Sequence, residues 1–339
     1  MRMFCLDDML HRYAAGMKHL QLSVALIDED HVTRLMYNGD KWGQEVPSRV
    51  YEIGSVTKTF TAALLAKLLH EGCLRLEDSI EVYLPELRGY PHCPTILQLA
   101  THTSRLTNDI ARSTTEAAQA LEKRMAAFSG DHEKDCVYQY ITEDDIIDQV
   151  RVLNNLENNC FQYSNIGYAL LGIALGKAGG ASYQTLITDI IRHDLGLQHT
   201  WLDPPMDAHV LPGIGTDNEI KGNWRWGSSG AKAAGAIYAT LDDMISYIQR
   251  HMDNQPGWLQ LTHKRAYAAC TPHPFSIGLG WIKEGNLTWH NGATGCFQSF
   301  VGFREDRSRG VVLLANCRER NSVAMDTIGK YMLKEDKWI

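Results

Sequence analysis

The chain has 339 residues, 44% hydrophobic and 22% charged, an ordinary globular composition long enough for two packed parts. Its 33 lysines and arginines against 40 aspartates and glutamates leave a formal charge of −7, and no basic stripe stands out, which argues against nucleic acid as a partner. The eight cysteines are scattered without a C-x-x-C pair and the 14 histidines form no H-E-x-x-H, so free thiols are expected and no metal or other cofactor.

Asp7 and Asp8 interrupt any apolar signal segment, and the best apolar run, Tyr168–Gly176, falls far short of the roughly 18 residues of a membrane span. A cytoplasmic chain without a membrane span is expected. Leu6, Met9, Leu10, Tyr13 and Met17 share one stripe, which predicts a helix over 5–19. Leu22–Ile27 and Val32–Tyr37 predict a hairpin about Asp28-Glu29-Asp30-His31, and Arg49–Ile53 a further short strand. Gly54-Ser55 then opens a helix in which Phe60, Leu64, Leu65, Leu68 and Leu69 recur at threes and fours until Gly72. It is apolar over most of its circumference, so deep burial is expected.

From Leu74 to Ala239 the pattern is helical and rich in loops, with helices expected over Thr95–Thr101, Glu143–Leu153 and Ile166–Lys177. Leu241–His251 continues with Thr240 as its N-cap. The period then changes to two: Ser276–Lys283, Leu287–Asn291, Cys296–Arg304 and Gly310–Asn316 predict four strands, and Ser322–Lys334 a closing helix. The expected fold class is α+β, an antiparallel sheet flanked by helices with an inserted, mostly helical subdomain. Residues 1–74 and 240–339 would form the sheet part, residues 75–239 the helical part, and the cleft between them the ligand site.

Three short words carry chemistry. Ser55-Val56-Thr57-Lys58 puts a hydroxyl and an amine on one helix face, one turn apart. A serine hydroxyl becomes a nucleophile when a base takes its proton, and a poorly solvated lysine is such a base. Tyr163-Ser164-Asn165 adds a phenol, whose proton a nearby ammonium would loosen, and an amide able to bind both Lys58 and a substrate carbonyl. His290-Asn291-Gly292 ends a strand; Gly292 admits a ligand to the backbone, and the N–H of Ala293 could join that of Ser55 as an oxyanion hole. His290 could orient Tyr163 or meet a substrate carboxylate. Each word taken singly is equally a helix cap or a hairpin turn. In this order they describe acyl transfer through Ser55.

These words resemble those of the serine β-lactamase and penicillin-binding protein superfamily, in particular its class C β-lactamase branch with the related esterases and D-peptidases. Thr95–Ser104, Asp194–Asp203 and Ala233–Asp243 extend the similarity, which runs from about Val24 to Asn316. The resemblance implies Ser55 as the acylated nucleophile, Lys58 and Tyr163 in proton transfer, Asn165 with His290, Asn291 and Gly292 on the substrate, and the N–H groups of Ser55 and Ala293 as oxyanion hole. Two departures stand out. His290-Asn291-Gly292 replaces Lys-Thr-Gly, exchanging a permanent cation for an imidazole. Arg105 stands where the pattern has glycine.

The expected activity is that of a serine hydrolase acting on a small molecule, whether a β-lactam, a D-amino-acid peptide or amide, or a small ester. An acyltransferase of the same superfamily and a non-catalytic binding or scaffold protein are the alternatives. The pattern leaves the oligomeric state open.

Overall fold

The computed structural model describes residues 6–39, 41–43, 48–108, 133, 136–151, 153, 160–227, 230–265, 267, 275–318 and 324–335. Cys5 and Cys270 lie outside them, as do Ser322 and Val323 at the head of the expected last helix.

Helix α1 (Leu6–Ala14) is shorter than the pattern predicts, because Gly16 turns left-handed at φ 76°. Strands β1 (Leu22–Asp28) and β2 (His31–Tyr37) form the expected hairpin, with Ile27 opposite Val32. A two-residue strand, β3 (Trp42–Gly43), extends its edge. β4 (Val50–Glu52) instead pairs with β6 (Tyr238–Thr240), which pairs in turn with β5 (Thr200–Trp201). β4 is the short strand expected over Arg49–Ile53, but its partners β5 and β6 have no counterpart in the sequence pattern, since two or three residues are too few for a period to show.

A 3₁₀ turn, Gly54–Val56, leads into α2 (Thr57–His70). From Thr57 to Ala66 the helix is buried at every position, as its apolar circumference requires. Phe60 stacks on Tyr247 at 4.0 Å and 10°, a pairing worth about 1 kcal/mol beyond its buried area. Next come α3 (Ile96–Ala100), opened by a reciprocal Thr95–Gln98 capping box, α4 (Glu143–Arg151), α5 (Asn165–Ala178) and α6 (Tyr183–Asp189). α7 (Leu241–Asp253) carries the expected Thr240 cap and stops at Asn254, φ 53°.

The C-terminal strands are β7 (Ser276–Ile277), β8 (Ile282–Glu284), β9 (Leu287–Ala293), β10 (Gln298–Arg304) and β11 (Arg309–Ala315), followed by α8 (Met325–Lys334). The single strand expected over Ser276–Lys283 is a tight hairpin: β7 folds back on β8 with Ile277 opposite Ile282. Gly280 makes the reversal at φ 72° and lies so close to α2 that a Cβ there would sit 2.9 Å from the Lys58 carbonyl.

The main sheet is antiparallel in the order β3-β2-β1-β11-β10-β9-β8-β7, so the two ends of the chain meet at the β1–β11 pair. Alternation along β11 sends Val311 and Leu313 to one core with α1 and α8, and Val312 and Leu314 to the other with α2 and α7. Covered on both faces, β11 is a continuous apolar run. No described helix is long and apolar enough to cross a membrane.

Candidate active site

Ser55 lies in the 3₁₀ turn ahead of α2, with Lys58 one turn further on the same face. The Lys58 amine lies 3.1 Å from Ser55 Oγ and donates at 2.7 Å to both Asn165 Oδ1 and the Ala234 carbonyl. Its side chain is fully buried, and all three partners are neutral. Burial therefore pulls the amine well below its ordinary range.

Tyr163 and Asn165 come from the segment that opens α5. Ser164 caps this helix by accepting from the Gly167 N–H at 2.8 Å, which leaves its two neighbours to face the lysine. The Tyr163 ring centroid is 4.8 Å from Lys58 Nζ. Loss of water pushes the phenol above its usual range, and interaction with the Ser55 hydroxyl offsets this only in part. That runs against the expectation of a phenol loosened by an ammonium: loss of water outweighs it, so the phenol holds its proton more firmly. Asn165 accepts from Lys58 and donates from Nδ2 to the Tyr138 hydroxyl at 2.6 Å.

Strand alternation turns His290 and Gly292 of β9 toward Ser55 and Asn291 and Ala293 away, the latter two exposed. The two backbones meet at glycines. A Cβ on Gly54, φ 51°, would lie 2.6–2.7 Å from backbone atoms of Ala293, and one on Gly292 would lie 2.1 Å from the Ile53 carbonyl and 2.9 Å from Ser55 N. Ser299 of β10 fastens this contact by donating to the Ile53 carbonyl at 2.7 Å. The His290 ring stands 6.3 Å from that of Tyr163, and its Nδ1 bonds to the Asn291 carbonyl, so Nδ1 bears the proton. Burial first, then the neighbouring Lys58, lowers it to about 3. An imidazole held neutral brings no charge to a carboxylate, which counts against that expected role.

Several contributors were given no role by the sequence, although His102 and Ala234 lie in stretches that extend the resemblance. His102 stacks on Tyr163 at 4.4 Å, and its Nδ1 accepts from the Ser164 N–H at 3.1 Å. Ala234 acts through its backbone, and Tyr138 reaches Asn165 from a distant turn. Arg105 sits at φ 66°, in the left-handed region that glycine enters without penalty, which explains the glycine of the family pattern. Trp224 and Trp226 are buried and pack the wall behind Tyr138. Among the described residues, no group of three or more His, Cys, Asp or Glu side chains could hold a metal ion.

A family model described as Beta-lactamase matches residues 13–330. The chain belongs to that family. Among its relatives, a beta-lactamase of Pseudomonas fluorescens is 27% identical over 341 residues, covering 87% of this chain and 88% of that one. Protein flp of Staphylococcus aureus is 26% identical over 298 residues, covering 82% of this chain and 55% of its own length. The chain thus spans about half the length of that relative. A solved class C beta-lactamase superposes with a TM-score of 0.78 at 20% identity, covering 98% of this chain and 95% of the other. This likeness establishes the fold of this beta-lactamase family member, a class C arrangement of sheet and helices.

Proposed function

We propose that the protein hydrolyses a small acyl substrate through an acyl-enzyme at Ser55. The observation that carries this reading is the amine of Lys58, buried without a counter-charge and 3.1 Å from the Ser55 hydroxyl. Two carbonyl acceptors occupy the N–H groups of a neutral amine, which turns its lone pair toward Ser55 Oγ. Lys58 takes the Ser55 proton as Oγ attacks the substrate carbonyl. The amides of Ser55 and Ala293 receive the developing oxyanion; in such sites one donor is worth roughly 3–4 kcal/mol. Tyr163, still protonated, gives its proton to the leaving group and recovers one from the Lys58 ammonium. Water then repeats the sequence on the acyl-enzyme, restoring Ser55.

Residues 1–74 and 240–339 supply Ser55, Lys58 and His290 in this reading, residues 75–239 supply Tyr163 and Asn165, and substrate lies in the cleft between them. Candidate substrates are β-lactams, short D-amino-acid peptides or amides, and small esters. The uncharged His290 and the carbonyl-bound Lys58 favour acyl groups without a carboxylate beside the cleaved bond. Intact-mass spectrometry with p-nitrophenyl acetate and a fluorescent penicillin tests this. The ester should add one acyl group to the wild type and none to Ser55→Ala. Equal labelling of both proteins removes Ser55 as nucleophile.

A further inference from the structure

The aim of the Lys58 lone pair depends on which end of the Asn165 amide faces it. With Oδ1 toward the amine, both N–H groups of a neutral Lys58 are engaged and its lone pair is left for Ser55. Turned over, the amide would present its N–H₂ group, and the lone pair would accept from Asn165 instead. Asn165 Nδ2 is held at 2.6 Å by the Tyr138 hydroxyl. Tyr138 lies flat on Trp226, rings 5.4 Å apart and 3° from parallel. The other side of this support is Gly235, where a Cβ would come within 2.9 Å of the Trp226 ring. Gly235 directly follows Ala234, whose carbonyl is the second acceptor of Lys58. The tryptophan segment is itself clamped: the Trp224 N–H donates to Glu52 at 2.9 Å, and its carbonyl accepts from the Tyr238 hydroxyl at 2.6 Å. One aromatic plate thus supports both acceptors of the lysine.

We propose that Tyr138, carried on Trp226, is a positioning residue that fixes the Asn165 amide and through it directs the Lys58 amine at Ser55. This rests on the reading of Lys58 as the base for Ser55. A tyrosine that only packed the wall would use its ring and not its hydroxyl. The titratable groups facing the amine are Tyr163 and Tyr168, whose ring centroids lie 4.8 and 5.6 Å from Nζ, and the neutral His102 and His290. None of them bonds to the Asn165 amide.

Tyr138→Phe keeps the ring and its stack on Trp226 and removes only the hydroxyl. The test titrates Lys58 by NMR in protein carrying ¹³Cε-lysine, its resonance assigned with Lys58→Arg, beside p-nitrophenyl acetate turnover. Without a fixed carbonyl acceptor the ammonium loses a partner, so the Lys58 midpoint should fall by about half to one pH unit. Turnover should drop roughly 10-fold in kcat/KM with KM little changed. An unmoved midpoint in Tyr138→Phe overturns the inference, whatever Ser55 does. A lowered midpoint in a protein whose wild-type Ser55 never acylates upholds the positioning and overturns the nucleophile. Should Tyr138→Phe fail to fold, the same titration of Trp226→Phe decides, a lowered midpoint upholding the inference and an unmoved one overturning it.

Discussion

Lys58 and Lys283 are both buried, and their surroundings are opposite in kind. Lys58 meets a hydroxyl, an amide oxygen and a backbone carbonyl. Lys283, on β8, bonds to the Glu305 carboxylate as well as to Thr288 and the His263 carbonyl. Burial raises Glu305, but its hydrogen bonds from Lys283 and Thr288 outweigh that and hold it below the usual carboxylate range. Lack of water alone does not make a lysine a base. In the proposed reading, what would prepare Lys58 as a base is lack of water together with lack of a counter-charge, because nothing then compensates the cost of its proton.

Replacing each amine in turn should break the comparison most visibly. Lys58→Met should lower acylation by roughly 10²–10⁴-fold, the range of a positioned proton-transfer group, and leave stability intact or raised. Lys283→Met should leave acylation within about threefold and lower stability by about 2 kcal/mol, since it strands a half-buried carboxylate. Ester kinetics and urea unfolding on both variants measure this. Equal effects on activity would mean that the counter-charge is irrelevant.

A second contrast lies in pH. At the Lys283 end, burial outweighs the attraction of Glu305 and lowers His263 to about 4. Unfolded, an imidazole takes its proton near 6.5, so the stabilisation is complete above that pH and is lost as pH falls toward 4, about 3 kcal/mol in all. His102, His251 and His290 shift in the same direction. On the Lys58 side Glu52 has the opposite sign: burial, against hydrogen bonds from Thr294 and Trp224, raises it to about 7. Its contribution is full below pH 4.5 and disappears as pH rises through 7. Urea midpoints between pH 4 and 8 should therefore flatten on the acid side in His263→Leu and on the neutral side in Glu52→Gln. Wild-type slopes in both variants would refute the assignment.

The smallest expected effect concerns the loop beside the Lys58 site. Arg105→Gly should gain up to about 1 kcal/mol by relieving the left-handed backbone, read as a thermal midpoint a few degrees higher. A lower midpoint would show that the arginine side chain contributes more than its backbone costs.

Much of the fold was legible locally. The stripe of α2, the Thr240 cap and the β1–β2 hairpin each declare themselves within a dozen residues. The β7–β8 hairpin was hidden because Ile277, Leu279 and Trp281 alternate straight through the turn, and only the fit of Gly280 against α2 requires the reversal. At the site, Ser55, Lys58, Tyr163, Asn165 and His290 announced themselves as words. His102, Tyr138 and Ala234 did not: His102 and Ala234 lie in stretches that extend the resemblance and Tyr138 in none, and they act through a ring nitrogen, a hydroxyl and a backbone oxygen that no local pattern assigns to the site.

By itself the sequence determined which groups are present and which share a helix face or a strand edge, because those relations follow from backbone periodicity. Only the tertiary structure decided their protonation. Desolvation of Lys58, Tyr163 and His290 comes from walls supplied by remote parts of the chain, and that shared removal of water draws the amine toward its neutral form while the phenol keeps its proton.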